Sequence, residues 1–175
     1  MFSGKTEEVV RRVRRAEIGR LGVRVFFPSQ DTRSPLARII ARSGQTTEAI
    51  RVGAASDILN LVREDVDVVA IDEAQFFDED LVAVVQELLS SGRRVIVAGL
   101  DLDFAGRPFG PMPYLLALAD RVDKLAAVCV RCGSPYATRT QRLVDGKNAS
   151  VATPVVLVGN GDYYEARCSR CYEPP

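Results

Sequence analysis

Residues 1–6 read MFSGKT and end in the triplet Gly-Lys-Thr, which closes a phosphate-binding loop of the pattern Gly-x-x-x-x-Gly-Lys-[Ser/Thr]. In such a loop Gly4 lets backbone N–H groups approach phosphate oxygens at a helix N-terminus. Lys5 would add a positive charge, and the hydroxyl of Thr6 can ligate Mg²⁺. The first glycine of the pattern, and the strand that leads into it, would precede Met1. The short motif therefore needs support from elsewhere in the chain.

The apolar run 68–71 (VVAI) gives that support, because it continues directly into Asp72 and Glu73. A second apolar run at 95–98 follows a helical pattern over 79–90. Continuous apolar runs are typical of parallel strands buried on both faces, so this segment predicts a βαβ unit. The carboxyl end of the first strand would face the same crevice as the phosphate loop, where one carboxylate can hold a metal ion and the other can act as a base. The alternative is that both carboxylates only cap the following helix.

The rest of the pattern agrees with this unit and predicts an α/β fold, a phosphate-loop (RecA-like) parallel sheet flanked by helices. Outside the unit we expect a helix over 6–18, a strand over 23–27, a mobile polar loop over 30–47, helices over 54–63 and 112–120, and strands over 125–130 and 155–158.

All the cysteines of the chain fall into two Cys-x-x-Cys pairs, Cys129 with Cys132 and Cys168 with Cys171. Two such knuckles can complete a tetrahedral Zn²⁺ site. Two disulfides are the alternative, which an intracellular compartment disfavours, and a redox pair would explain only one knuckle. A metal with four thiolate ligands has no open position, so it would be structural and would supply about 10–16 kcal/mol of folding energy. We therefore expect two domains: a phosphate-loop domain over 1–128, incomplete at its N-terminus, and a zinc-binding lobe with a lid loop over 129–175.

Composition restricts the function further. Lys plus Arg and Asp plus Glu each total 23, so the formal net charge is zero, whereas polyanion-binding proteins carry a basic excess. The chain contains no histidine, which excludes a Ser-His-Asp triad and any histidine-ligated metal. No segment has the pattern of a membrane span or of a secretory signal. We interpret the protein as soluble and intracellular, with the basic cluster 11–15 on the solvated face of a helix.

Two further segments are candidates for a ligand pocket. The loop over 100–110 follows the strand at 95–98 and carries Phe104 and Phe109, which are either plugs of the core or flat walls suited to a planar base. The segment 140–158 has few helix signals, and we interpret it as a lid.

These motifs in this order (MFSGKT at 1–6, DEAQFF at 72–77, Pro-Phe-Gly at 108–110 and the paired Cys-x-x-Cys) resemble the type II (cytosolic, zinc-containing) thymidine kinase family over essentially the whole chain. The resemblance implies transfer of the γ-phosphate of ATP to the 5′-hydroxyl of thymidine with Mg²⁺, giving dTMP for DNA synthesis. It also implies a cytoplasmic homotetramer that is inhibited by dTTP, with no nucleic-acid or membrane partner.

The resemblance also implies a role for individual residues. Glu73 would be the catalytic base that takes the proton of the 5′-hydroxyl. The phosphates of ATP and the Mg²⁺ would be bound by Ser3, Gly4, Lys5, Thr6, Asp31, Arg33, Asp72 and Gln75. The thymidine pocket would be lined by Met1, Leu100, Phe104, Phe109, Thr140 and Tyr164. A lid over 143–159 would close on the base and read it with backbone groups.

The chain departs from the family pattern in three places. The strand and the Gly-Pro that open the phosphate loop are missing, a histidine common after Arg33 is absent, and the spacing from Cys132 to Thr140 is longer than usual. Losing a strand from the sheet removes buried side chains worth about 1.5–3 kcal/mol each from a total stability of about 5–15 kcal/mol. We therefore expect the working protein to begin well upstream of Met1.

Two other functions remain open at this point. One is a nucleic-acid-dependent ATPase, because Asp-Glu-Ala-Gln at 72–75 is similar to the acidic motif of helicases. The other is a non-catalytic zinc-binding interaction protein, in which the shortened loop does not bind ATP.

Overall fold

The computed structural model describes residues 1–31, 38–40, 44, 46–152 and 164–175. Within them the elements are α1 (Lys5–Ile18), β1 (Val23–Pro28), β2 (Arg38–Ile40), β3 (Thr46–Glu48), β4 (Ile50–Val52), α2 (Asp57–Leu61), β5 (Val68–Ile71), a 3₁₀ turn (Ala74–Phe76), α3 (Asp80–Ser90), β6 (Arg94–Val97), α4 (Met112–Leu118), β7 (Arg139–Val144), β8 (Lys147–Asn148) and β9 (Tyr164–Arg167).

The centre of the fold is a parallel sheet with the strand order β4-β1-β5-β6. All residues of β5 are buried, as expected for a continuous apolar strand with helices on both sides. On one face, Val9 and Val13 of α1 pack against Val25, Val68 and neighbouring residues. On the other face, residues of α2, α3 and α4 cover the side chains of Phe26, Val69 and Ile71. The α/β prediction with a parallel, phosphate-loop-type sheet is therefore confirmed.

Helix α1 carries the basic cluster. Its apolar stripe faces the sheet, while Arg11, Arg14 and Arg15 are exposed. Arg12 is half-buried and pairs with Glu8 at 2.8 Å and with Asp123 at 2.5 Å. The basic residues therefore lie on the solvated face of a helix, as the sequence predicts.

A second, antiparallel sheet has the order β8-β7-β9. In this sheet Thr140 lies opposite Ala166, and Arg142 lies opposite Tyr164. The turn between β7 and β8 is made by Asp145 and Gly146, both with positive φ (50° and 73°), which is the backbone that two-residue hairpins require. The first part of the predicted lid is thus a hairpin, and residues 153–159 of that lid lie outside the described residues.

Three sequence predictions need correction, and one falls outside the described residues. The predicted loop over 30–47 contains β2, which pairs in antiparallel fashion with β3, so that Ile39 lies opposite Thr47. The predicted helix over 54–63 is only the short α2. The predicted strand over 125–130 is reduced to a single antiparallel bridge between Ala127 and Ala137, because the chain turns back at the cysteine knuckle. The predicted strand over 155–158 lies outside the described residues.

Strand β6 forms one edge of the parallel sheet among the described residues. A groove of about 430 Å³ runs along it and is lined by apolar side chains that include Val95, Val97, Leu115, Leu118 and Leu125. Among the described residues, this edge of the sheet therefore lies beside an apolar groove. In the part of the chain that the structure describes, every helix is too short or too polar to span a membrane.

Candidate active site

The phosphate loop leads directly into α1. Gly4 has the left-handed backbone φ 80°, ψ 21°, which favours glycine, and the N–H of Glu8 closes the first helical turn on the Gly4 carbonyl at 3.0 Å. The N–H groups of Lys5 and Thr6 have no acceptor inside the helix, because they precede its first full turn. A helix N-terminus of this kind attracts phosphate oxygens through its N–H donors and its dipole.

Asp72 meets this loop from the end of β5. Its N–H donates to the carbonyl of Phe26 at 2.9 Å, which extends the sheet pairing by one residue. One carboxylate oxygen, Oδ2, accepts the hydroxyl hydrogen of Thr6 at 3.1 Å, and the other, Oδ1, accepts the N–H of Glu73 at 2.9 Å. The structure therefore brings together the hydroxyl and the carboxylate that the sequence assigned to one metal site.

The surroundings of Asp72 favour a bound cation. The side chain is only 2% exposed, and this burial, assisted by the charge of Glu73, raises its pKa from 3.8 to about 6. The N–H of Glu73, the Thr6 hydroxyl and the Lys5 ammonium act in the opposite direction. A hard divalent ion such as Mg²⁺ prefers oxygen ligands and would offset the unfavourable burial of this charge.

Glu73 occupies the adjacent position in a strained backbone conformation, with φ 51° and ψ 38°. A left-handed conformation at a residue other than glycine costs about 1–3 kcal/mol, and such residues cluster at functional sites. The conformation is held in place because the N–H of Ala74 donates to the carbonyl of Ala98 at 2.9 Å. The Glu73 carboxylate is half-buried and accepts a hydrogen bond from the Gln75 side-chain amide at 2.5 Å. The Glu73 carboxylate therefore lies next to Asp72 and remains partly accessible to solvent.

Of the two remaining phosphate-site candidates, one is described. Asp31 follows the carboxyl end of β1, where its N–H donates to the carbonyl of Pro28 at 3.0 Å. Because β1 pairs with β5, Asp31 and Asp72 both follow strands at the same edge of the sheet. Arg33 lies outside the described residues.

The residues assigned to the thymidine pocket fall into two groups. Met1, Leu100 and Thr140 line one cavity of about 260 Å³ together with Ser3 and Lys5. The amino group of Met1 donates to the hydroxyl of Thr140 at 3.0 Å. This cavity thus adjoins the phosphate loop at a position where a small molecule would lie next to Lys5.

The aromatic candidates form the second group and do not line this cavity. Phe104 is buried and its ring lies 5.0 Å from the guanidinium of Arg142, which is also 5.8 Å from the ring of Tyr164. Phe109 is half-buried and packs edge-on against Phe76, with ring centroids 5.7 Å apart. The sequence left two alternatives for Phe104: a side chain that fills the core, or a flat wall for a planar base. Its burial fits the first alternative better.

Arg142 is a buried arginine beside the aromatic candidates, and the sequence reasoning missed it. It is only 1% exposed, although arginine is rarely buried without partners, and it lies between two aromatic rings. Cation–π contacts of this kind are worth about 0.5–2 kcal/mol each. The available signal was the two-residue period of a strand, because Thr140 and Arg142 share one face of β7.

The cysteine cluster has the geometry of a tetrahedral metal site. The four sulfur atoms all lie within 4.8 Å of one another, and none is in a disulfide. The Sγ atoms of Cys132 and Cys168 are 3.7 Å apart, close to the about 3.8 Å edge of a tetrahedron with Zn–S distances of about 2.3 Å. Backbone N–H groups, first that of Cys168, lower the pKa of Cys129 to about 6 and favour the thiolate that a metal needs. The donor set and spacing fit zinc.

Two contacts connect this cluster with the candidate active site. The side chain of Phe2, from the phosphate loop, packs on the small core formed by Ala127, Ala137, Ala166 and the buried cysteines. The hydroxyl of Tyr172, which follows the last cysteine, donates to the carbonyl of Phe104 at 2.8 Å. The cysteine cluster and its neighbours therefore contact both the phosphate loop, through Phe2, and the loop over 100–110, through Tyr172.

The comparison with known protein families agrees with this geometry. The family model described as thymidine kinase matches residues 1–172, which is nearly the whole chain. Members of this family are phosphate-transferring kinases, and the phosphate loop and the acidic pair are compatible with that activity. The chain therefore belongs to the thymidine kinase family.

Proposed function

We propose that the protein transfers the γ-phosphate of ATP to the 5′-hydroxyl of thymidine. The observation that carries this proposal is the hydrogen bond between Thr6 and Asp72, which unites the phosphate loop with the acidic end of β5. A phosphate loop and a carboxylate held at this distance form the binding site of a Mg²⁺–nucleoside triphosphate in phosphoryl-transfer enzymes. Membership of the thymidine kinase family supplies the class of acceptor.

The triphosphate would bind at the N-terminus of α1, with Lys5 on its outer oxygens. Thr6 and Asp72 would hold the Mg²⁺, which when bound neutralises charge on the phosphates. Catalysis in this reaction class comes mainly from positioning and electrostatics, so a preorganised loop and carboxylate matter more than covalent chemistry. Ser3, Gly4 and Asp31 belong to the same proposed phosphate site, as does Arg33 from the sequence pattern.

Glu73 would act on the acceptor. Its carboxylate takes the proton of the 5′-hydroxyl as the 5′-oxygen forms a bond to the γ-phosphorus. The bond between that phosphorus and the β–γ bridging oxygen breaks, and ADP leaves. The half-buried position of Glu73 beside Asp72 supports this assignment, because the base must lie close to the transferred phosphate while remaining accessible to the acceptor.

The nucleoside would occupy the cavity lined by Met1, Leu100 and Thr140, which opens beside Lys5. The assignment of Phe104, Phe109 and Tyr164 to the thymidine pocket belongs to the same proposal and rests on the family resemblance, since their rings pack on Arg142 and Phe76 and not on this cavity. The division into a kinase domain over 1–128 and a zinc lobe over 129–175 belongs to the same proposal. So do a homotetramer, inhibition by dTTP and a cytoplasmic location, which rest on the family resemblance.

The direct test is an assay with γ-labelled ATP and thymidine as acceptor, run with and without single-stranded DNA. We expect label in dTMP, no dependence on DNA, and no transfer without Mg²⁺. ATP hydrolysis that appears only with DNA would replace the proposal by the nucleic-acid-dependent ATPase. Absence of ATP binding in zinc-loaded protein would favour the non-catalytic zinc-binding alternative.

A further inference from the structure

Gln75 is buried directly beneath the candidate base. It lies in the 3₁₀ turn that follows β5, and only 2% of its surface is exposed. The family resemblance places Gln75 near the phosphates of ATP, which would require its side chain to reach the phosphate loop. In the structure its amide is instead engaged on both sides by protein groups.

Both ends of the Gln75 amide have a partner. Nε2 donates to Oε2 of Glu73 at 2.5 Å, and Oε1 accepts the backbone N–H of Leu100 at 2.9 Å. The second contact fixes the orientation of the amide, because a backbone N–H can only meet an acceptor. The NH₂ group must therefore face the Glu73 carboxylate.

Two glycines on neighbouring segments hold Gln75 in this position. A Cβ at Gly99 would lie 2.9 Å from Oε1 of Gln75 and 2.6 Å from the sulfur of Met112. A Cβ at Gly110 would lie 2.5 Å from the backbone oxygen of Gln75, and Gly110 also has a positive φ of 50°. Side chains at either position would displace the glutamine, so the surroundings leave it little freedom to move.

We propose that Gln75 is a positioning residue that fixes the carboxylate of Glu73 and links it to Leu100 at the nucleoside cavity, an inference that rests on the proposed function. The chain of contacts runs from the Leu100 N–H through the Gln75 amide to the carboxylate that takes the proton. Leu100 itself lines the cavity beside Lys5. The position of the base relative to the wall of the acceptor pocket is therefore fixed. Phosphate transfer requires the reacting groups to be held in such a defined geometry.

This role differs from a phosphate contact in what it predicts for kinetics. A residue that acts only through Glu73 matters for turnover and not for ATP affinity. Its removal should also have no further effect once Glu73 can no longer take a proton. A phosphate-binding residue would instead change the KM for ATP and would act independently of Glu73.

The experiment is a double-mutant cycle of Gln75→Met and Glu73→Gln, with kcat and KM measured for ATP and for thymidine. Alone, Gln75→Met should lower kcat by about 10–100-fold, as is typical for residues that orient a functional group, with the KM for ATP changed by less than about 3-fold. In the Glu73→Gln background the same substitution should change kcat by less than about 3-fold. Full additivity of the two effects, or a rise in the KM for ATP as the main effect, would overturn the inference.

A second measurement guards against a folding defect. Gln75→Met should retain zinc and bind Mg²⁺–ATP with the wild-type dissociation constant, while its melting temperature should fall because the Leu100 N–H loses its acceptor. Wild-type turnover in Gln75→Met would contradict the positioning role. Wild-type protein that transfers no phosphate to thymidine would overturn the proposed function itself, and so the two failures are distinguishable.

Discussion

The side-chain hydroxyl of Thr6 donates a hydrogen bond of 3.1 Å to Oδ2 of Asp72, although 66 residues separate the two in the chain. Thr6 is placed by the first turn of α1 and Asp72 by the end of the buried strand β5. Since α1 packs across β1 and β5, the contact depends on the same core that holds the sheet together. The proposed Mg²⁺–ATP site is therefore built by rigid elements.

Replacement of Asp72 should lower the activity of the protein and raise its stability in the absence of metal. In Asp72→Asn we expect kcat to fall by at least about 100-fold, because a charge that stabilises the transferring phosphate is lost. Without Mg²⁺ the same variant should melt at a higher temperature than the wild type, because it removes a buried carboxylate whose ionisation is unfavourable. Asp78→Asn, at an exposed position in the following turn, is the matched control and should change neither quantity.

The pH dependence of that stability difference follows from the pKa of Asp72. Burial raises this pKa from 3.8 to about 6, so between these values the folded protein binds more protons than the unfolded chain. The metal-free wild type should therefore lose stability as pH rises from about 4 to above about 6, relative to Asp72→Asn. Melting temperatures of both proteins across this range check the prediction. A constant difference between them would contradict it.

Glu73→Gln should abolish most turnover without changing ATP binding. A general base contributes about 10²–10⁴-fold to the rate, and glutamine keeps the size of the side chain while being unable to accept the proton. The loss should appear in kcat, with the dissociation constant for Mg²⁺–ATP unchanged in a titration. Glu79→Gln, exposed just before α3, serves as the control. Near-normal turnover in Glu73→Gln would remove Glu73 from the mechanism.

Metal removal should affect the phosphate loop as well as the cysteine cluster. We expect elemental analysis to find about one zinc per chain. A strong chelator should lower the melting temperature and weaken ATP binding, because Phe2 packs on the core beside the cysteines. Phe2→Ala should weaken ATP binding in the same direction while leaving zinc bound. If zinc-free protein bound ATP as tightly as the zinc-loaded form, the coupling through Phe2 would be wrong.

Arg142 gives a prediction for the aromatic cluster. Arg142→Lys keeps the charge but loses the planar guanidinium between Phe104 and Tyr164, so it should destabilise the protein by about 1–3 kcal/mol in urea unfolding and raise the KM for thymidine. Arg139→Lys, on the other face of β7, should change both quantities much less. Equal effects of the two substitutions would show that the stacked geometry is unimportant.

The sequence predicted the parallel sheet because its strands are short, continuous apolar runs between helices, a local pattern that needs no knowledge of distant partners. It also predicted that Asp72 faces the same crevice as the phosphate loop, since the acidic residue directly follows a parallel strand. The cysteine cluster was predicted from spacing alone. In each of these cases the sequence signal is a short local pattern of residues, which can be recognised without knowing the fold.

The features that the sequence missed depend on contacts between distant residues. The hairpin of β2 and β3 uses strands of only three residues each, too short for a visible alternation. The two-residue period of β7 puts Arg142 on the same face as Thr140, but the burial of this arginine becomes visible only when Tyr164 is placed opposite it. The strained backbone of Glu73 and the two partners of Gln75 are likewise properties of the folded site.

A crystal structure with Mg²⁺ and a non-hydrolysable ATP analogue tests the central claim most directly. The account predicts that the phosphates lie at the N-terminus of α1 beside Lys5, with the metal bound between the Thr6 hydroxyl and the Asp72 carboxylate. Triphosphate bound away from that helix end, or a metal that contacts neither side chain, would contradict it.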